Sequence, residues 1–172
     1  PTQRAQVATM LESLDEAVST VRRIATELRP LMLDDLGLNA AIEWLARESS
    51  QRLGLSIRIQ LDEVEPPLGE RRAIALYRTL QDALARIARH ADARHVDIQM
   101  LRRAHELILC VRDDGQGWPD AATVGDADDA DLTLGLRQQA RLLGARLRFD
   151  TLPQGGRRMT LRLPLPREPD AG

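Results

Sequence analysis

Leu107-Ile108-Leu109-Cys110-Val111-Arg112-Asp113-Asp114-Gly115-Gln116-Gly117 runs from an apolar segment into two adjacent carboxylates and two glycines. The apolar part reads as a buried strand. A carboxylate at its end can accept from an amino group, and the glycines let backbone approach a ligand closely. Taken alone, the last five residues are equally an ordinary Asp-Gly turn. The choice between these readings depends on what lies on either side.

Downstream, residues 115–133 are rich in Gly, Asp and Ala without periodicity, which predicts a long loop of the kind that often carries function. A helix over 134–143 should end at Gly144. Leu147, Phe149 and Thr151 then mark a strand, Pro153-Gln154-Gly155-Gly156 a turn, and Met159, Leu161 and Leu163 a last strand before a frayed tail. Upstream, Val96, Ile98 and Met100 alternate as a strand joined to Leu107 through a polar turn at 102–105. Before it, Ile74, Tyr77, Leu80, Leu84 and Ile87 fall on one face of a helix over 70–90.

Further back, Pro66-Pro67 and Gly69 break the chain after a strand at Leu55, Ile57, Ile59 and Leu61. A helix over 38–52, with Leu38, Ala41, Ile42, Trp44 and Leu45, should stop at Gly54. Val7, Leu11, Leu14, Val18, Val21, Ala25 and Leu28 form a heptad seam that ends before Pro30. A helix of about 27 residues, or about 40 Å, follows from that seam. It is too long to bury its stripe on one small domain and calls for a partner helix. The fold class is α+β: a two-layer sandwich with helices on one face of a mostly antiparallel sheet, preceded by a helical stem.

Composition sets limits on function. The 172 residues carry a formal charge of -2, and all 24 basic residues are arginine. No apolar run approaches the length of a membrane span, so no membrane contact is expected of this piece. Nucleic acid is not expected as a partner: the overall charge is not basic, and only Trp44, Tyr77, Trp118 and Phe149 could stack on bases. The lone Cys110 permits neither an intrachain disulfide nor a cysteine metal cage, which fits a reducing compartment. Pro1 opens onto polar residues with no initiator Met or signal-like start, so the chain is expected to be part of something longer.

Four stretches together resemble the C-terminal region of bacterial two-component sensor histidine kinases, in the NarL/DesK-like group whose dimerisation helices carry L-R-P-x-x-L-D-D-L-G-L-x-A-A-I-E-W. Here that motif is Leu28-Arg29-Pro30-Leu31-Met32-Leu33-Asp34-Asp35-Leu36-Gly37-Leu38-Asn39-Ala40-Ala41-Ile42-Glu43-Trp44. Gln81-Asp82-Ala83-Leu84-Ala85-Arg86-Ile87-Ala88-Arg89-His90-Ala91 looks like the family's N box, Asp113 to Gly117 like its G1 box, and Thr133-Leu134-Gly135-Leu136-Arg137 like its G2 box. The resemblance implies a Bergerat-type ATP-binding fold, shared with gyrase, Hsp90 and MutL.

It also implies roles. Asp113 would accept from the adenine amino group, and Gly115 and Gly117 would shape the base pocket and the start of an ATP lid over 118–134. Gly135 and Leu136, with Thr133 and Leu134 before them, would bring backbone N–H groups to the phosphates at a helix start. Arg89 and His90 would lie near phosphate. Asp82 would orient or deprotonate the attacking group, its plain alternative being a buried, ion-paired Asp.

Departures from the pattern bear on the chemistry. The N-box Asn that holds magnesium is Arg86 here, and a guanidinium has no acceptor. At about 4 Å from a divalent ion it would be repelled by roughly 8 kcal/mol at an effective dielectric of 20. Magnesium is therefore doubtful at that spot; Arg86 either binds phosphate directly or pairs with Asp82 one turn away. Thr133 replaces the first G2 glycine, and Arg157 stands where the closing hairpin usually has Thr. None of His90, His95 and His105 fits the phosphoacceptor motif, so the acceptor lies outside the chain. His95 and His105 read as surface residues of a strand and a turn.

The expected activity is transfer of the ATP γ-phosphoryl group to that His. The alternative is a degenerate kinase module that binds nucleotide weakly and acts as a dimerising scaffold. An anti-sigma-factor type serine kinase is disfavoured by the stem motif. ATP is the expected cofactor. The expected partners are a response regulator and a second copy through the stem. The expected location is the cytoplasm, free or as the cytoplasmic part of a membrane-anchored sensor. The expected division is a partial stem and linker helix over 1–52, a catalytic domain over 53–165 and a tail over 166–172.

Overall fold

A computed structural model of the chain describes residues 31–64, 66–116 and 127–165. The heptad seam before Pro30, Gly117, most of the expected lid and the tail lie outside the described residues.

Helix α1 spans Leu31–Leu53, with a break at Gly37, whose φ of 84° and ψ of 177° are not helical. Gly37 thus separates the LDDL segment from the second half of the helix, as the pattern of Leu38, Ala41, Ile42 and Leu45 requires. Strand β1 (Ser56–Leu61) follows, then α2 (Glu70–His90), β2 (His95–Arg103), β3 (Glu106–Asp113), α3 (Ala127–Leu142), β4 (Arg146–Thr151) and β5 (Arg157–Pro164). The sheet order is β1-β2-β3-β5-β4. Only β1 and β2 pair in parallel, because α2 crosses over between them; the other pairs are antiparallel.

The strands alternate as the sequence predicts. Val96, Ile98, Met100, Leu107, Leu109, Val111, Met159, Leu161 and Leu163 point to one side and are buried. The α2 stripe of Leu76, Tyr77, Leu80, Leu84 and Ile87 covers them, along with Leu38, Ile42 and Leu45 of α1. Burying a leucine of this kind stabilises the fold by about 1.5–3 kcal/mol. By packing, then, the second half of α1 shares the core of the sheet although it precedes residue 53. The α+β class with helices layered on one sheet face is as expected.

Helix α3 departs from expectation. It starts at Ala127, seven residues before the helix predicted from apolar spacing. The added turns, Ala127-Asp128-Asp129-Ala130-Asp131-Leu132, are poor in apolar residues and so lack a periodic signal. Alanine nonetheless favours helix, and aspartates near an N-terminus suit the helix dipole.

Candidate functional site

Asp113 ends β3 and is buried, with 6% of its surface exposed. Its Oδ1 accepts from the N–H of Gly115 at 3.0 Å, closing a local turn, and the N–H of Arg157 on β5 also donates to the carboxylate. Burial raises its pKa above the usual aspartate value, and the two N–H groups and the Arg157 charge oppose that rise. The turn reading is met, and the turn holds a buried carboxylate in place.

Glycine is required on two sides of this carboxylate. A Cβ on Gly115 would lie 2.0 Å from the Ala91 carbonyl oxygen at the end of α2. There, the Gln116 N–H donates to the same oxygen at 2.7 Å. A Cβ on Gly156 would lie 2.0 Å from the Asp113 carbonyl oxygen, and Gly156 has a φ of 85°. The β4–β5 turn thus closes directly on Asp113.

Asp114 has a different task. Its Oδ1 accepts from the N–H groups of Arg94 and His95 at 2.8 and 2.9 Å, and its Oδ2 meets His95 Nδ1 at 2.7 Å. The His95 N–H is the main cause that brings its pKa down to about 2. Asp114 locks the start of β2 to the end of β3. His95 is exposed, as expected, but it has this partner.

The N box lies along the face of α2 turned to α3. Gln139 Nε2 donates to Asp82 Oδ2 at 2.7 Å, and Thr79 Oγ1 donates to Gln139 Oε1 at 3.3 Å. One turn further, the Arg86 guanidinium lies beside Gly135, where an added Cβ would meet Nη2 at 3.3 Å. Asp82 and Arg86 are four residues apart, as are Gln139 and Gly135, so the antiparallel helices meet in register. Thr133 and Leu136 are buried, while Leu134, Arg89 and His90 are exposed. A groove of about 330 Å³ near the other end of the helix pair is lined by Ile74, Ala75, Arg78, Gln139 and Leu142.

One expected feature is corrected. Thr133, Leu134, Gly135 and Leu136 do not open a helix; they lie inside α3, where backbone N–H groups are committed to the preceding turn. The sequence also gave no warning of Gln139 as partner of Asp82, nor of Gly156 as neighbour of Asp113. The only available signals were the four-residue step from Gly135 and the paired glycines of the hairpin.

The donor chemistry also tests the groups that the fold would hold. The buried carboxylate of Asp113 is an acceptor, the chemistry that an adenine amino group needs. The Arg86 position does not fit a magnesium ion, since a guanidinium offers only donors. Among the described residues no cluster of three or more His, Cys, Asp or Glu could hold a metal. No helix among them is long and apolar enough to cross a membrane.

A mixed five-stranded sheet, helices on one face and a buried Asp-Gly strand end define the ATP-binding domain fold of histidine kinases. Among solved structures, the blue-light activated histidine kinase EL346 of Erythrobacter litoralis matches with a TM-score of 0.61, 22% identity, 74% of this chain and 42% of that one. The ATP-binding domain of PrrB from Mycobacterium tuberculosis matches with a TM-score of 0.56, 22% identity, 74% of this chain and 93% of that one. No family model matches.

By sequence, the chain belongs to the sensor histidine kinases. The histidine-protein kinase/phosphatase UhpB of Salmonella typhimurium is 32% identical over 161 residues, covering 92% of this chain and 31% of UhpB. The sensor histidine kinase ComP of Bacillus subtilis is 29% identical over 142 residues, covering 83% of this chain and 18% of ComP. The chain thus spans less than a third of the length of either relative.

Proposed function

We propose that the chain is the ATP-binding catalytic domain of a two-component sensor histidine kinase, transferring the γ-phosphoryl group of ATP to a histidine outside these residues. The observation that carries this reading is the buried Asp113 carboxylate at the end of β3, closed in by Gly115 and Gly156. Asp113 accepts from the adenine amino group, and Gly115 and Gly117 shape the base pocket. The same acceptor disfavours guanine, which presents a carbonyl oxygen in place of that amino group.

ATP supplies the phosphoryl group. Arg86 and Arg89 supply positive charge and donors, and His90 a ring nitrogen, along the exit of α2 for the phosphates. Asp82, held by Gln139, is the acidic group that orients the attacking histidine. For the backbone at Thr133, Leu134, Gly135 and Leu136 to reach phosphate, the first turns of α3 must unwind. Catalysis then consists mainly of positioning and charge stabilisation. In this reading residues 53–165 carry the catalytic elements, and 1–52 contribute a partial stem and linker helix that pairs with a second copy. Residues 166–172 form a tail. The protein works in the cytoplasm with a response regulator as its downstream partner.

Titration of the chain with a fluorescent ATP analogue, with and without magnesium, tests the reading. Saturable binding that ATP displaces and GTP does not is the expected result. Absence of displaceable binding under both conditions would overturn it.

A further inference from the structure

The sheet face turned away from the helices carries a charge pattern that the nucleotide site does not use. Strand register sets Arg58 beside Asp97, Asp97 beside Arg112, Arg112 beside Arg158, and Arg158 beside Asp150, one residue from each of the five strands. Across the whole face the strands contribute seven arginines and three carboxylates, an excess of four positive charges in a chain whose formal charge is -2. Just past β3, Asp114 is held by His95 at the margin.

The centre of the row is the unusual part. Arg112 and Arg158 are direct cross-strand partners of like charge, an arrangement that disfavours the sheet. The Nε of each is buried with no hydrogen-bond partner among the described residues. Three of the five outer arginines have a carboxylate beside them: Arg58 lies 3.6 Å from Asp97, Arg148 2.6 Å from Asp150, and Arg162 3.3 Å from Glu106. Two half-buried arginines of like charge, each with a buried and unmet Nε, therefore sit side by side at the centre of the outer face, between Asp97 and Asp150.

We propose that this face docks an acidic protein segment, whose carboxylates take the fork-shaped donors of Arg112 and Arg158. Half-buried Leu101 and Ile108 lie on the same face, directly across from one another, and supply the apolar contact that a protein surface uses. No aromatic side chain alternates onto this face for base stacking, which favours a protein segment over a nucleic acid. Five strands about 4.8 Å apart and about 20 Å long give roughly 400 Å², half of a standard interface per partner, so the contact is weak and transient. Charge complementarity then governs the rate of encounter and its salt dependence.

The test uses the full chain with labelled poly-L-glutamate of about 20 residues, followed by fluorescence anisotropy at about 20 mM salt and again at about 200 mM. Binding at low salt that weakens at high salt, and about tenfold weaker binding by the Arg112→Gln/Arg158→Gln variant, is the expected result. Arg71→Gln/Arg78→Gln, which removes the same charge from α2, should leave it unchanged. The Arg112/Arg158 variant should melt no lower than the parent, because it loses a like-charge pair, and should keep its affinity for an ATP analogue. Absent binding, equal loss in the two double variants, or tighter binding to a single-stranded oligonucleotide or to phosphatidylserine vesicles than to poly-glutamate would each overturn the proposal. None of these outcomes bears on the nucleotide site.

Discussion

Gly156 presses on the backbone of Asp113 so closely that a methyl group at position 156 would fall 2.0 Å from the Asp113 carbonyl oxygen and 2.9 Å from its carbonyl carbon. The turn between β4 and β5 thereby fixes the strand end that carries the buried carboxylate. Gly155 next to it has a φ of 89° but nothing within 4 Å. Gly155→Ala should cost only the left-handed backbone strain, about 1–2 kcal/mol. Gly156→Ala adds the clash and should cost about 2 kcal/mol more. Urea denaturation of both variants measures the difference, and equal costs would mean that the Asp113 backbone yields freely.

Asp113→Asn keeps an oxygen for the Gly115 N–H but presents a donor toward the base. Nucleotide affinity should fall by about 1–3 kcal/mol. Because burial raises the Asp113 pKa, the parent's acceptor is protonated at a higher pH than an ordinary aspartate would be. Affinity should therefore decline on acidification at a higher pH than an ordinary aspartate would give, and the Asn variant should lack that decline. Calorimetric titration at a series of pH values reads both effects.

Arg86→Asn replaces five donors with a neutral oxygen at the position that faces Gly135. The parent should bind nucleotide with little dependence on magnesium, and the variant should acquire that dependence. Tight magnesium-dependent binding by the parent would show that Arg86 is compatible with the ion. As a companion, Gly135→Ala sets a methyl 3.3 Å from the flexible end of Arg86 and removes a glycine from the middle of α3. It should raise stability by about 0.5–1 kcal/mol.

Asp114 links acid stability to the β2–β3 junction. Its folded pKa of about 2 lies below the ordinary 3.8, so its contribution is fully present above pH 3.8 and is lost as pH falls through about 2. Asp114→Ala should lower stability at pH 5, and the gap to the parent should close as pH is taken down toward 2. Urea melts across that range check it; a constant gap would assign the effect to packing.

Tyr77 is buried, its hydroxyl has no hydrogen-bond partner among the described residues, and burial pushes its pKa up to about 12. Tyr77→Phe removes only that hydroxyl. The variant should be as stable as the parent or more stable by about 1 kcal/mol, measured by thermal melting.

The sequence by itself determined the elements and the faces they bury. The α2 stripe through Tyr77, Leu80, Leu84 and Ile87, the alternation of β2, β3 and β5, and the stop at Gly54 follow from periods of 3.6 and 2 and from backbone preference, which act over a few residues; Leu76, buried where the period pointed to Ile74, does not. It also placed the carboxylate and glycines of Asp113 to Gly117 after a buried strand. Only the tertiary structure decided which distant groups meet them. Gln139 reaches Asp82 across 57 residues because α2 and α3 pack antiparallel. Gly156 reaches Asp113 because β5 inserts between β3 and β4. The early start of α3 and the pairing of Arg112 with Arg158 were likewise hidden, the first because Ala and Asp leave no apolar period, the second because strand register is set by neighbours and not by the strand itself.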